Sequence, residues 1–185
     1  MKTERIGILG GAFDPPHCGH VLLAAYALSV APVDRLLVVP TFAHPFGKAM
    51  ASFEDRVAMC AEAFGVLEGV GVSRIEEELG STSYTVRTLE ALSHHLPGAT
   101  FRLIVGADVL ADTSKWKDFD RVRELAPLFV IGRSGAPRTD LIETPDLPAI
   151  SSTEVRARMR AGTPVTGLVP RAVEEHVREH GLYRG

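Results

Sequence analysis

Two histidines, His17 and His20, stand three residues apart in the stretch GILGGAFDPPHCGH, residues 7–20. Cys18 lies between them, so three neighbouring side chains are of types that bind zinc. The same stretch could bind a phosphate instead, because paired glycines let backbone amides approach an anion and a helix N-terminus adds positive potential. Gly19 leaves that approach free of a side chain. Zinc is the weaker interpretation, since three ligands crowd one short turn and no second Cys/His pair follows at metal spacing.

A second set of groups that could bind an anion lies near the end of the chain, in ISSTEVR, residues 150–156. It combines three hydroxyl side chains with an arginine one helical turn later: Ser151, Ser152, Thr153 and Arg156. A single hydroxyl would be enough to cap a helix. Three hydroxyls, free backbone N–H groups and a guanidinium exceed that need, so they predict a second phosphate site at a helix N-terminus.

Alternating strand and helix patterns supply the elements that must position these two motifs. Short β-favouring apolar runs predict strands at 5–9, 35–40, 69–73, 100–106 and 128–132. Cap residues and helix-favouring runs predict helices at 19–31, 52–64, 83–96, 151–162 and 170–181. This alternation predicts an α/β fold, namely a doubly wound, Rossmann-like parallel sheet with helices on both faces. Ligands of such sheets bind beyond the carboxyl ends of the strands, which is where the first histidine motif lies.

Length and composition describe one globular domain, residues 1–185, on which the C-terminal helices at 151–181 pack. The net charge of −3 argues against nucleic-acid binding, because that needs a basic surface. No apolar run approaches the ~18 residues of a membrane span, and the N-terminal residues lack a signal-peptide core. Two cysteines are too few for a disulfide framework, so we expect a cytoplasmic protein without a membrane partner.

The two phosphate motifs together resemble a known superfamily. GxFDPxHxGH at 11–20 and ISSTxVR at 150–156 are similar to the signatures of nucleotidyltransferases, which move an adenylyl or cytidylyl group from a nucleoside triphosphate onto a phosphate. Within that superfamily, TSYTVRTLEAL, IVGADVLADTSKWKDF and the closing GLYRG resemble the bacterial nicotinate (nicotinamide) mononucleotide adenylyltransferases of NAD biosynthesis. The resemblance covers nearly the whole chain, in order.

The resemblance implies an enzyme that uses ATP and nicotinate mononucleotide and releases deamido-NAD and pyrophosphate, with Mg²⁺ held by the nucleotide phosphates. It implies catalytic roles for His17, His20 and Arg156, and further ATP contacts from Gly10, Gly11, Phe13, Gly106, Asp108, Ile150, Ser151, Ser152 and Thr153. It implies acceptor contacts from Thr41, Lys48, Tyr84, Thr85 and Trp116, with the tryptophan stacked on the pyridine ring. No protein side chains are expected to hold a metal ion.

The chain departs from the family pattern at two places. The family commonly carries Pro-Pro-His-Lys after the second strand, whereas this chain has PTFAHPFGK at 40–48, so the role of Lys48 is open. Arg87 stands where the family often has an acidic residue, which leaves the preference for nicotinate over nicotinamide mononucleotide open.

Two other functions would use the same motifs. Another acceptor, such as phosphopantetheine, or a cytidylyl donor would need both phosphate sites, and a non-catalytic nucleotide-binding module would keep the fold without turnover. The histidine pairs His94–His95 and His176/His180 are predicted to be solvated helix positions, although the i, i+4 spacing of the second pair would suit a metal ion. The sequence leaves the formation of a homo-oligomer open.

Overall fold

A parallel sheet of five strands forms the centre of the fold. The computed structural model describes residues 3–43, 47, 49–80, 82, 84–136, 139–140, 142 and 144–184. The strands are β1 (Arg5–Gly11), β2 (Arg35–Pro40), β3 (Val70–Val72), β4 (Thr100–Gly106) and β5 (Leu128–Ile131). They lie in the order β3-β2-β1-β4-β5, and every neighbouring pair is parallel. The predicted α/β class and doubly wound parallel sheet are confirmed.

Helices connect these strands and cover both faces of the sheet. The α-helices in the described residues are α1 (Cys18–Val30), α2 (Phe53–Phe64), α3 (Ile75–Leu79), α4 (Thr85–His95), α5 (Phe119–Leu125), α6 (Ser152–Arg160) and α7 (Arg171–Glu179). A 3₁₀ helix spans Ala107–Lys115. The predicted cap of α2 is present, since Oγ of Ser52 accepts a hydrogen bond from the N–H of Asp55 across 3.0 Å. None of the described helices is both long and apolar enough to cross a membrane.

Alternating strand side chains build an apolar layer on each face of the sheet. On β2, Leu36 and Val38 pack with residues of α1, α2, α6 and α7, while Val39 packs with residues of α3, α4 and α5 on the other face. Val155 of α6 and Val173 of α7 are fully buried, so the two C-terminal helices belong to the first layer. Burial of each such side chain contributes about 1.5–3 kcal/mol, which makes these layers the main source of stability.

The order of the strands changes direction beside β1. The chain goes outward from β1 to β2 and β3, and then returns to place β4 on the opposite side of β1. The crevice beyond the carboxyl ends of the strands at such a reversal is the usual ligand site of an open α/β sheet. Gly11 ends β1 and Gly106 ends β4, so both glycines lie at this edge.

Three short elements do not follow from the sequence patterns: α3, the 3₁₀ helix and α5. Residues 107–125 carry no sustained apolar period, and their structure depends on contacts with the second apolar layer. Val122 of α5 is fully buried in that layer, and Trp116 packs against it. Tertiary packing therefore folds a stretch for which local patterns predicted no regular element.

Candidate active site

His17 and His20 form a stacked pair at the start of α1. His17 is the N-cap residue and His20 is the third residue of the helix, so their spacing places both side chains on one side of the first turn. Their ring centroids lie 3.6 Å apart and the ring planes differ by 17°. The backbone N–H of His17 donates to Nδ1 of His20 across 3.2 Å, which leaves Nε2 of His20 to carry the proton of the neutral ring.

Two neighbours fix the position of this stacked pair. The ring of Phe13 is 1% exposed and lies edge-on to His20, with the ring centroids 4.9 Å apart. Gly19 makes room for the other ring, because a Cβ atom at that position would lie 3.1 Å from Nδ1 of His17. Gly19 therefore accommodates the histidine itself, in addition to any path that it leaves for a ligand.

Burial keeps both imidazoles neutral at neutral pH in the protein on its own. Burial, with a smaller contribution from the Arg133 guanidinium, lowers the pKa of His17 to about 4. Burial also lowers the pKa of His20 well below its ordinary value, with His17 and Arg133 adding to the effect. We expect a positive charge on these rings only when an anion is bound, since adjacent phosphate groups favour the imidazolium form.

A cavity of about 400 Å³ opens at the carboxyl edge of β1 and β4. Among the residues that line it are these predicted site residues: Gly10, Gly11, His20, Thr41, Thr85, Gly106, Asp108 and Trp116. An adjoining cavity of about 30 Å³ is lined by His17, His20 and Arg133, among others. Gly10 faces open space, with nothing within 4 Å of the position that a Cβ atom would take, so a ligand can lie directly against its backbone. A more open groove of about 940 Å³ along α5 and β5 contains none of the predicted site residues.

Arg133 is a charged residue of both active-site cavities that the sequence analysis missed. It lies two residues beyond the end of β5, where its Nη1 donates to Oδ2 of Asp108 across 2.7 Å and its Nη2 donates to the carbonyl oxygen of Ile150. A lone arginine forms no motif, but its place just beyond the carboxyl end of a predicted strand is a signal that could have identified it.

Glu76 is a second lining residue that the sequence analysis missed. This residue of α3 is 7% exposed and accepts hydrogen bonds from the N–H of Phe42 across 2.9 Å and from the hydroxyl of Thr88 across 2.8 Å. Both carboxylate oxygens are thus bound to the protein, one to the loop after β2 and one to α4. Glu76 therefore holds two walls of the cavity together, and no local pattern in the sequence indicates this.

The second motif contacts the first motif through two backbone carbonyl groups. Oγ of Ser152 donates to the carbonyl oxygen of Pro15 across 2.9 Å. Nη1 of Arg156 donates to the carbonyl oxygen of Asp14 across 2.6 Å. Arg156 is not among the residues that line the two active-site cavities, so its phosphate contact stays a prediction, whereas its contact with the first motif is direct.

The other members of the second motif have separate positions. Ser151 caps α6, as its Oγ accepts a hydrogen bond from the N–H of Glu154 across 3.2 Å. Thr153 is exposed, and Ile150 contributes its carbonyl oxygen to Arg133. The phosphate roles of these residues also stay predictions, because none of them is among the residues that line the two cavities.

Asp14 links the first motif to three distant segments. It is 1% exposed, and its Oδ1 accepts hydrogen bonds from the Tyr183 hydroxyl across 2.7 Å and from the Ala51 N–H across 3.0 Å. Its Oδ2 lies 3.5 Å from Nη1 of Arg156. Burial and the Asp14 carboxylate raise the pKa of Tyr183, which keeps its proton in that hydrogen bond. Tyr183 of the closing GLYRG sequence thus helps to position the loop before α1.

The predicted acceptor residues divide into two groups. Thr85 begins α4 and Trp116 follows the 3₁₀ helix, and both line the cavity with Thr41. Tyr84 is the N-cap residue of α4; its ring centroid lies 4.8 Å from Nζ of Lys117, and it is not among the lining residues. Lys48 lies outside the described residues.

The comparisons with known proteins agree with this geometry. Residues 8–158 match the cytidylyltransferase-like family, which makes the chain a nucleotidyltransferase by fold and motif. A protein of Anaeromyxobacter dehalogenans strain 2CP-1, named "Probable nicotinate-nucleotide adenylyltransferase", is 50% identical over 185 residues, with 98% of each chain covered. One of the same name from Myxococcus xanthus strain DK1622 is 41% identical, with 97% and 94% covered. The chain therefore belongs to the cytidylyltransferase-like family and, within it, to the nicotinate-nucleotide adenylyltransferases.

Solved structures support the fold. A structure of Plasmodium falciparum nicotinic acid mononucleotide adenylyltransferase complexed with NaAD has a TM-score of 0.83 at 17% identity, and 97% of each chain is covered. The same enzyme complexed with APC has a TM-score of 0.81 at 17% identity, with the same coverage. At this identity the likeness is one of architecture, and it confirms the doubly wound α/β fold.

Proposed function

We propose that this protein transfers the adenylyl group of ATP to nicotinate mononucleotide, giving deamido-NAD and pyrophosphate in NAD biosynthesis. The names of relatives that are 41–50% identical over nearly the whole chain support this activity. The Plasmodium enzyme of similar fold was solved with NaAD and with APC, which supports nucleotide ligands for this architecture. We place the enzyme in the cytoplasm, where Cys18 and Cys60 would remain the free thiols that they are here.

One observation carries the proposal: a single cavity joins the first phosphate motif to the residues expected at the acceptor. Gly10, Gly11 and His20 line it beside β1, while Thr85 and Trp116 line it from α4 and the end of the 3₁₀ helix. Two nucleotides that react with each other must lie in one continuous space, because in-line attack requires the acceptor phosphate oxygen close to the α-phosphorus. A cavity confined to the glycines and histidines would suit a nucleotide-binding module without an acceptor.

The residues act through position and charge, since adenylyl transfer needs no enzyme nucleophile. The acceptor phosphate attacks the α-phosphorus in line, and the bond to the leaving pyrophosphate breaks. His17 and His20 take up protons when the triphosphate binds, because its charge opposes the effect of burial on their pKa values. Arg133 faces the same two cavities and adds a fixed positive charge toward the phosphates.

ATP is expected to enter as its magnesium complex. Among the described residues, two carboxylates line the cavity and both have protein partners: Oδ2 of Asp108 pairs with Arg133, and both oxygens of Glu76 accept hydrogen bonds. This donor set fits a Mg²⁺ ion that is coordinated by phosphate oxygens and water, since Mg²⁺ in nucleotide sites keeps several waters and takes few protein ligands. The residues named here bind and orient the phosphates around it.

A panel of acceptor phosphates tests the proposal. The purified protein is incubated with ATP, Mg²⁺ and one acceptor at a time, namely nicotinate mononucleotide, nicotinamide mononucleotide or phosphopantetheine, and pyrophosphate release is measured. We expect release with nicotinate mononucleotide and formation of the dinucleotide product. Release with phosphopantetheine alone, or with CTP in place of ATP, would move the protein to another branch of the superfamily. A protein that binds ATP but releases no pyrophosphate with any acceptor would be a binding module.

A further inference from the structure

A cluster of titratable side chains lies between α2 and α7, apart from the residues that line the active-site cavities. Asp55 and Glu62 are seven residues apart on α2, and His176 and His180 are four apart at the end of α7, so each pair occupies one side of its helix. One ligand atom each from Asp55, His176 and His180 lies within 4.8 Å of the other two. The prediction of a solvated position was wrong for His176, which is 7% exposed, while His180 is exposed as predicted.

When the ring of His176 is neutral, one of its two nitrogens cannot form a hydrogen bond with the carboxylate that it faces. Nδ1 lies 3.1 Å from Oε1 of Glu62, and Nε2 lies 3.3 Å from Oδ1 of Asp55. A neutral imidazole carries a single N–H, whereas an ionised carboxylate can only accept. One of these contacts therefore sets a nitrogen lone pair against a carboxylate oxygen, unless a proton or a metal ion lies between them.

Each of the two histidines has its Nδ1 next to an oxygen acceptor, and Nε2 of His176 faces Asp55. Nδ1 of His176 faces the Glu62 carboxylate, and Nδ1 of His180 lies 3.0 Å from the carbonyl oxygen of His176. The two rings stack with centroids 4.0 Å apart and planes 18° apart, so the two side chains lie side by side. Metal-binding histidines typically donate their second ring N–H to a carboxylate or a backbone carbonyl in this way, which fixes the tautomer and the direction of the ring.

We infer that Asp55, His176 and His180 bind a divalent transition-metal ion, with Zn²⁺ as the preferred ion, and that Glu62 positions His176 for it. At metal–ligand distances of 2.0–2.1 Å, neighbouring ligands of a tetrahedral zinc ion are about 3.3 Å apart, which matches the separation of Nε2 of His176 and Oδ1 of Asp55. The second oxygen of Asp55 accepts from the Ser52 hydroxyl across 2.6 Å, which holds the first oxygen toward the histidines. The exposure of His180 leaves a fourth position for water.

A metal ion at this site would link the residues at the end of α7 to the first turn of α2. Asp55 lies four residues after Ala51, and His180 lies three residues before Tyr183. Ala51 and Tyr183 both bind Oδ1 of Asp14, so the ion would stabilise the segments that hold the loop before α1. The inference is independent of the proposed function, because it assigns a structural site and no reaction step.

Metal binding to the full-length protein, freed of metal with a chelator, tests the site. The protein is titrated with Co²⁺, whose visible absorption reports tetrahedral coordination, and then with Zn²⁺ in competition. We expect one Co²⁺ per chain, its displacement by Zn²⁺, and a higher Tm with Zn²⁺ but not with Mg²⁺, which prefers six oxygen ligands. No binding of either ion by the wild-type protein would overturn the inference.

Substitutions at the proposed ligands test where the ion binds. His180→Ala should weaken Zn²⁺ binding about 100-fold and remove the gain in Tm, and Glu62→Gln should weaken it about tenfold. His95→Ala is the matched control, because His95 is also exposed and its Nδ1 also lies 3.0 Å from a backbone carbonyl oxygen four residues earlier, yet it should leave binding unchanged. Asp55→Asn is a second ligand variant that retains the size of the side chain. Unchanged affinity in His180→Ala and Asp55→Asn, or a loss of binding in His20→Ala alone, would overturn the inference by placing the ion at the first histidine motif.

Discussion

Arg156 and Asp14, which are 142 residues apart in the chain, are joined by a hydrogen bond of 2.6 Å from the guanidinium to the backbone carbonyl oxygen. The contact links the two phosphate motifs directly, and Ser152 reinforces it through the carbonyl oxygen of the next residue, Pro15. The side chain of Arg156 is only 12% exposed, so this contact is largely shielded from water. The two motifs are therefore in direct contact, and we expect a change in α6 to affect the loop that precedes the histidines.

Replacing Arg156 by lysine tests this link. Arg156→Lys keeps the charge but loses the planar fork, so we expect a higher KM for ATP and a free energy of unfolding lowered by roughly 1–3 kcal/mol. Kinetics with each substrate varied in turn, together with denaturant unfolding, measure both effects. Arg158→Lys is the control, because Arg158 lies on the same helix in a partly exposed pair with Glu154. An equal rise in the KM for ATP and in the KM for the acceptor would show that Arg156 only holds the helix in place.

His20 is expected to neutralise charge that grows on the phosphates during transfer. His20→Ala should lower kcat by about two to three orders of magnitude, by analogy with the loss of one donor to a developing oxyanion. The Tm should change little, since Phe13 and His17 keep their other contacts. Pyrophosphate release and a thermal melt are the measurements, with the exposed His94→Ala variant as the control. A folded His20→Ala protein with near-normal turnover would remove His20 from the mechanism.

The titration of His17 is expected to make the free energy of unfolding depend on pH. Its pKa is lowered from 6.5 to about 4, so between these values the unfolded chain binds more protons than the folded chain. The free energy of unfolding should therefore fall as the pH falls from 6.5 to 4, by up to about 3 kcal/mol at about 1.4 kcal/mol per pH unit. Denaturant unfolding at several pH values measures the slope.

Two comparisons isolate the contribution of His17. His17→Gln cannot titrate, so its stability should fall less than that of the wild-type protein over the same pH range. Saturating ATP with Mg²⁺ should also reduce the loss in the wild-type protein, because bound phosphates favour the protonated ring. Identical slopes for the wild-type protein and His17→Gln would contradict the low pKa.

The regular core of the fold could be predicted from local patterns, and some of its bounds agree to the residue. The prediction for β2, 35–40, and that for β4, 100–106, match the structure because each is a compact β-favouring run next to a proline or a glycine. The stretch 107–125 could not be predicted in this way. Its helices form because Val122 and Trp116 pack into a layer built by distant strands, and a local window contains no information about that layer.

The same limit applies to the site. The placement of His17 and His20 at the cavities could be predicted because their spacing matches one helical turn and glycines precede them, so the signal is local. Arg133 lines the cavities only because β5 pairs with β4, which carries Asp108 just beyond its end. Glu76 lines the cavity only because α3 packs between the loop after β2 and α4. Strand order and helix packing determine the positions of Arg133 and Glu76, and no short sequence motif predicts either position.

Arg133 is predicted to hold the phosphates together with the histidines. Arg133→Gln should lower kcat/KM for ATP by about 100-fold, since it removes a positive charge that faces developing negative charge. It should also raise the pKa of His17, because the guanidinium is the second contributor to the low value. Kinetics and NMR titration of the imidazole measure these effects, and Arg121→Gln, an exposed arginine of α5, is the control. A loss of activity with no change in the His17 pKa would indicate that Arg133 acts by holding Asp108 and Ile150 instead.

Trp116 is predicted to stack on the pyridine ring of the acceptor. It is the single tryptophan of the chain, it lines the cavity that also contains Thr85 at the start of α4, and it is only partly buried, so part of its surface is available to a ligand. Flat stacking suits an electron-poor ring and contributes roughly 0.5–1.5 kcal/mol beyond burial. Trp116→Ala should therefore raise the KM for nicotinate mononucleotide about tenfold and leave the KM for ATP within about twofold. Trp116→Phe, which keeps an aromatic face, should restore most of the affinity.

In the wild-type protein, tryptophan fluorescence should decrease on addition of nicotinate mononucleotide and change much less with ATP alone. A defect selective for ATP would move Trp116 to the adenosine side of the cavity and leave the acceptor without its expected aromatic partner.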